Sequence, residues 1–306
     1  MKHIFGSQII HNSQIEPEAL VHCYPLMNGM NLYDHVCRAC SVLTTKSYST
    51  SFSLGIRFLG PALRHPIYSI YGFVRFADEI VDTFHHANKK QLFERFKQDT
   101  EFALQDRISL NPILHAFQGV FHEYNLDKEH VDLFLRSMEW DLHKSDYDRS
   151  GFEEYIVGSA EVVGLMCLKV FVNGDQSEYE RLKPFAQRLG AAFQKINFLR
   201  DMKADYQEMG RTYFPNLDMT TFNEAIKERI EEEIASDFQE AYKGIIQLPK
   251  SSRLGVYVAY IYYQRLFQKI RSLPSHRIME ERIRIPNARK ATLAVSSYLR
   301  HSFNLL

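Results

Sequence analysis

The chain lacks the features that would mark a secreted, membrane-spanning or nucleic-acid-binding protein. Its 306 residues hold only four cysteines, Cys23, Cys37, Cys40 and Cys167, too few at this length for a disulfide framework. Cys37 and Cys40 form a C-x-x-C, but no second Cys or His pair stands at zinc spacing, and neighbouring positions on one helix explain the pair better than a metal or redox centre. There is no run of about 18 apolar residues, hence no expected transmembrane helix. The first residues lack the basic start and unbroken apolar core of a signal peptide, so the cytoplasm is the expected compartment. Lys+Arg and Asp+Glu stand equal at 37 each, which leaves no excess positive charge for a polyanion, and nucleic acid is not an expected partner. No linker rich in Pro, Gly or Ser splits the chain, and no repeat at solenoid spacing appears.

What is present is apolar and aromatic. Hydrophobic residues make up 45% of the chain, enough for a large core. The 22 Phe and 17 Tyr beside a single Trp suit either ordinary core packing or the lining of an apolar cavity. Residues 1–29 are polar and irregular, with Pro17, Pro25 and Gly29, and read as a disordered extension. Helical patterning begins at about Met30. Beyond it, Gly60-Pro61, Pro66, Asn111-Pro112, Asn125, Ser150-Gly151, Asn173-Gly174-Asp175, Gly210 to Pro215, Pro249 and Pro286 punctuate the chain. Between these breaks apolar residues recur at three and four, as in Ile113, Phe117, Val120, Phe121 and Tyr124. Period-two alternation is scarce. The expectation is an all-α fold, with one domain over residues 30–306.

Two acidic stripes interrupt this pattern. D-E-I-V-D spans Asp78 to Asp82, and N-F-L-R-D-M-K-A-D spans Asn197 to Asp205. Each sets aspartates four residues apart, where they share a helix face and repel. On a helix Tyr71, Arg75, Asp78 and Asp82 fall within about 60°, and Gln194, Asn197, Asp201 and Asp205 within about 80°. The adjacent faces are apolar, so the carboxylates border buried surface. Asp and Asn are mediocre helix formers, and stability alone gives little reason for them. A cation between the stripes would relieve the repulsion. Oxygen donors without His or Cys favour a hard ion, Mg²⁺ with Mn²⁺ as the second candidate, which commonly shares its shell with substrate phosphates. Arg75, Arg200 and Arg211 nearby are either salt-bridge partners or grips for diphosphate oxygens.

At these residues the chain resembles the squalene/phytoene synthase family, the head-to-head isoprenoid synthases, and its phytoene synthase branch in particular. The resemblance runs from about Ser47 to Lys290. It is carried by Y-S-T-S-F-S-L at 48–54, Y-G-F-V-R-F-A-D-E-I-V-D at 71–82, M-E-W-D-L at 138–142, Y-I-V-G-S-A-E-V-V-G-L-M at 155–166, F-Q-K-I-N-F-L-R-D-M-K-A-D at 193–205 and G-R-T-Y-F-P at 210–215. It implies an isoprenoid-synthase-type helical bundle around a central cavity, with the aspartate helices facing each other. It implies Mg²⁺ held by Asp78, Asp82, Asn197, Asp201 and Asp205, with Gln194 beside them. Ser51, Ser53, Arg75 and Arg200 match positions near the diphosphates, Tyr263 and Arg282 match C-terminal diphosphate contacts, and Tyr155 and Asp141 match cavity-lining positions. Tyr71 and Arg211 join the substrate side through the motifs they occupy. Asp78, Asp82, Asp201, Asp205, Arg75, Arg200 and Tyr155 are the expected catalytic set.

There are departures. Glu79 stands where the family has a second Asp. The family's Y-C-x-x-V-A-G-x-V-G becomes Tyr155-Ile156 followed by Ser159, Ala160 and Glu161. The implied reaction joins two geranylgeranyl diphosphates through a cyclopropyl (prephytoene) diphosphate to phytoene, in carotenoid biosynthesis, without NADPH. The alternatives are a squalene or dehydrosqualene synthase acting on farnesyl diphosphate, and a non-catalytic helical scaffold relative. Because substrates and product are lipids, transient contact with a membrane surface, at the inner face of the cell membrane, is a further expectation. Tyr257 to Ile270 is the aromatic stretch considered for it, with an amphipathic core helix as the favoured reading. Oligomeric state is not legible.

Overall fold

The computed structural model describes residues 29–144, 146–215, 217, 222–280, 282–286, 292–293, 296–298 and 300. The expected N-terminal extension, and Cys23 within it, lies outside them apart from Gly29, which opens the first helix. The described residues form helices and contain no strand. In chain order these are α1 (Gly29–Tyr48), α2 (Thr50–Arg57), α3 (Pro61–Asp82), α4 (Lys89–Asp106), α5 (Pro112–Glu123), α6 (Lys128–Trp140), α7 (Arg149–Ile156), a π-helical turn (Val157–Glu161), α8 (Val162–Phe171), α9 (Gln176–Met209), α10 (Glu224–Ile245), α11 (Lys250–Arg271) and the short α12 (Ser275–Ile278).

Local chemistry sets most boundaries. Asn111 caps α5 through Oδ1, which accepts from Ile113 and Leu114 N–H, and Pro112 follows where no intrahelical donor is needed. Asp175 caps α9 in the same way, accepting from Glu178 N–H. Gly210 ends α9 in the left-handed region at φ 64. Two expected breaks are displaced. Pro66 lies inside α3; the carbonyl it leaves unpaired belongs to Ala62, which is exposed and reaches water. Ser150-Gly151 falls in the first turn of α7, capped from Asp148.

The core is aromatic at its centre. Phe73 of α3 is fully buried and stacks on Phe117 of α5 at 4.0 Å. Cys37 and Cys40 are unpaired positions on α1. The Tyr257–Ile270 stretch is a core helix: Tyr257, Tyr260, Tyr263, Leu266 and Ile270 are buried, while Arg265 and Lys269 face outward. No described helix is long and apolar enough to cross a membrane. Walls from α2, α3, α8, α9, α10 and α11 enclose a cavity of about 390 Å³.

Candidate active site

The two acidic stripes stand at one end of this cavity because α3 and α9 carry them along its walls. On α9 the lining residues are Leu182, Phe185, Ala186, Leu189, Gly190, Phe193, Gln194 and Asn197, alternating steps of three and one down a single face. On α3 they run from Ile67 through Ile70, Tyr71, Val74 and Arg75 to Asp78. Everything below Tyr71 and Gln194 on these two walls is apolar, and charge is confined to the mouth.

At the mouth the carboxylates press on one another. Asp78 is pushed up to about 7, first by burial and then by Asp82. Asp205 is pushed up to about 8, by burial, by Asp201 and by Asp82 on the opposite helix. Arg211, just beyond α9, bonds Asp82 at the end of α3 at 3.0 Å, which brings the charged ends of the two helices together. Every expected arginine is paired here. Arg75 bonds Asp78 and Glu79, Arg200 holds Asp201 with an Nε contact of 3.0 Å, Arg211 reaches Asp82 at 3.0 Å, and Arg282 reaches Asp201 at 2.6 Å. Tyr263 Oη donates to Asn197 Oδ1 at 3.2 Å.

The donor set is carboxylate and amide oxygen, which suits a hard divalent cation. Among the described residues no three His, Cys, Asp or Glu side chains are gathered closely enough to enclose an ion by themselves. Mg²⁺ uses one or two carboxylates and completes its shell with water and phosphate oxygen, so residues spread across the mouth fit it. Asp78, Asp82, Asn197, Asp201 and Asp205 are the carboxylate and amide oxygen donors that the two stripes bring to this end of the cavity.

Behind the mouth lies a buried polar knot. Asp141, at the end of α6, accepts from Tyr155 Oη at 2.7 Å and Tyr213 Oη at 3.3 Å. Burial pushes it up to about 7 although Arg211 opposes the shift. Arg211, only 7% exposed, donates to the Asp141 carbonyl at 2.6 Å as well as to Asp82. Tyr155 also lines the cavity. Tyr213 was not an expected site residue, although G-R-T-Y-F-P contains it. Nor was Tyr48, whose ring lies 4.4 Å below the Arg75 guanidinium.

The other expected residues divide. Tyr71 and Gln194 line the cavity. Ser51 and Ser53 sit on α2 outside its lining, and Ser53 Oγ donates to Thr45 O at 3.3 Å. Glu79 is 7% exposed and bonded to Arg75, so it orients that arginine from the core side. Ser159 lies in the π-helical turn, lines the cavity and has no partner for its buried Oγ. Glu161 is turned away, accepting from Gln187 Nε2 at 3.0 Å.

Known proteins resemble this chain. The model of the squalene/phytoene synthase family matches residues 45–289. A 4,4'-diapophytoene synthase of Staphylococcus haemolyticus is 28% identical over 200 residues, covering 63% of this chain and 67% of the relative. A phytoene synthase of Cereibacter sphaeroides is 27% identical over 249 residues, covering 73% of this chain and 67% of the relative. The crystal structure of a dehydrosqualene synthase superposes with a TM-score of 0.74 at 22% identity, over 88% of this chain and 98% of that one. A helical bundle with facing aspartate stripes over a hydrocarbon-lined cavity defines the class, a transferase of prenyl groups. The chain belongs to the squalene/phytoene synthase family, the head-to-head isoprenoid synthases.

Proposed function

We propose that this chain is a phytoene synthase, joining two geranylgeranyl diphosphates head to head. The observation that carries this choice over farnesyl diphosphate is the length of the cavity. Its α9 lining runs from Asn197 to Leu182, about 22 Å of helix. An extended chain advances about 1.2 Å per bond, so the roughly 15 bonds of a C20 prenyl chain reach about 18 Å and the roughly 11 of a C15 chain about 13 Å. The longer chain comes within about 4 Å of the deep end, and the shorter stops about 9 Å short of it.

The residues then take these roles. Asp78, Asp82, Asn197, Asp201 and Asp205 would hold Mg²⁺, or Mn²⁺ in its place, and the bound ions would neutralise the diphosphate as it leaves. Arg75, Arg200, Arg211 and Arg282 exchange their aspartate partners for phosphate oxygens. Tyr71 and Gln194 sit where the charged head meets the apolar chain. Tyr155, fixed by Asp141, presents its ring to the cavity below the mouth. The aliphatic and aromatic walls exclude water while the first allylic cation is captured by the second chain's double bond. Loss of a proton closes the cyclopropane, and the walls exclude water again while the cyclopropyl diphosphate gives up its remaining diphosphate, rearranges and loses a second proton. No reductant enters this sequence. Transient contact with a membrane surface belongs to the same reading, since the product is a hydrocarbon.

The test is product analysis with geranylgeranyl and farnesyl diphosphates, each with and without NADPH. Phytoene from the C20 substrate without NADPH is expected. Squalene or dehydrosqualene as the main product would overturn the assignment.

A further inference from the structure

The deep end of the cavity is shaped by one close approach between helices. Gly244 of α10 is buried against Phe185 of α9, so near that a Cβ at 244 would stand 2.3 Å from Phe185 Cβ and 2.8 Å from its Cγ. No side chain fits in that space. Glycine at 244 therefore lets the helices meet, and it fixes where the Phe185 side chain stands. Both residues line the cavity. Phe185 lies twelve positions below Asn197, about 18 Å down α9. A C20 chain anchored at the mouth ends at about this level, whereas a C15 chain ends at about 13 Å, near Leu189. Past Phe185 only Leu182 remains on the α9 lining.

We propose that the Phe185–Gly244 pair sets the longest prenyl chain the cavity accepts, with Phe185 meeting the tip of a C20 chain and Gly244 holding it clear of the chain's path. The proposal rests on the reading of the mouth as the diphosphate site. A pair that served packing alone would, when altered, reduce turnover of every chain length together. A length gauge changes the ratio between them.

The experiment measures kcat/KM for the full chain and for Phe185→Trp, Phe185→Ala and Gly244→Ala with C15, C20 and C25 prenyl diphosphates, scoring head-to-head products. Phe185→Trp is expected to lower C20 turnover at least tenfold while C15 turnover stays within threefold. Tenfold corresponds to about 1.4 kcal/mol, the burial of roughly two methylene groups. Gly244→Ala clashes first with Phe185 Cβ, which no rotation of the ring moves, so it parts α9 from α10 at the deep end and is expected to change the C20-to-C15 ratio as well. Phe185→Ala raises C25 turnover at least tenfold relative to C15. Ratios that move less than threefold in both Phe185 variants, or losses shared equally by all lengths, overturn the proposal. A wild-type protein that prefers C15 refutes the phytoene reading but leaves this test standing, since the variant-to-wild-type ratios still report on the deep end.

Discussion

The proposed metal binding at this mouth would be coupled to protons, and the coupling has a sign and a size. Asp78 is held up to about 7 by burial and Asp82, and Asp205 up to about 8 by burial, Asp201 and Asp82. At pH 6 about a tenth of Asp78 and a hundredth of Asp205 are ionised; at pH 8 the fractions are about nine-tenths and a half. A cation that needs both as carboxylates therefore binds roughly 500-fold more weakly at pH 6 than at pH 8. Part of the rise at Asp78 comes from the neighbouring Asp82 carboxylate, so the magnitude to test is on the order of 10²–10³. Stability runs the other way in the metal-free protein. Folded pKa values above the unfolded 3.8 contribute stability that is complete below about pH 4 and is lost as pH rises through 7 to 8. Calorimetric Mg²⁺ titration at pH 6, 7 and 8, in buffers of different ionisation enthalpy, measures both affinity and protons released. Thermal melts in chelator should fall across the same range, and the gain on adding Mg²⁺ should grow. An affinity that changes less than threefold between pH 6 and pH 8, with no proton release at pH 7, would refute the reasoning.

Other substitutions separate chemistry from packing. Asp78→Ala and Asp201→Ala should abolish product formation while the far-UV circular dichroism keeps its helical signal; full activity of both in excess Mg²⁺ would remove the metal assignment. Arg211→Met removes the cation that favours the Asp141 carboxylate, so Asp141 should hold its proton to higher pH and urea unfolding should show a loss of stability that is larger at pH 8 than at pH 6. Phe73→Ala empties the stacked centre between α3 and α5 and should cost about 3–5 kcal/mol by the same measurement.

The parts of the site legible in the sequence are those that one helix determines. Asp78 and Asp82, or Asn197, Asp201 and Asp205, share faces because of the helical repeat alone, and that they border apolar surface followed from their neighbours. The polar knot was harder to read. Asp141, Tyr155, Arg211 and Tyr213 come from three separate stretches, and no periodicity links the end of α6 to the turn after α9. Pro66 was read as a break because its missing N–H is a local fact, whereas the exposure of Ala62 that offsets it is a tertiary one. Ser51 and Ser53 show the same limit: the motif names them, but packing turns Ser53 toward Thr45. The cavity's length was not legible at all. It depends on how α9 meets α10, and hence on Phe185 and Gly244, which are 59 positions apart in the chain.

The paired arginines explain how a fold tolerates two repelling stripes before substrate arrives. Four guanidinium groups, from Arg75, Arg200, Arg211 and Arg282, stand against the aspartates where cations and phosphates are proposed to bind. On the proposed function, Mg²⁺ and diphosphate would exchange these partners: the aspartates would turn from arginine to metal, and the arginines from aspartate to phosphate. No buried charge is left alone at either end of the exchange, which matters because an unpaired one would cost several kcal/mol. The pairs do not release equally. Arg282 is 49% exposed and lies on the segment after α12, so its bond to Asp201 is weakly held and screened by water. Arg211 is 7% exposed and also tied to the Asp141 carbonyl and to Tyr213. Arg282 should therefore be the first guanidinium to let go, with Asp201 still held by Arg200, and the Arg211–Asp82 pair should be the last.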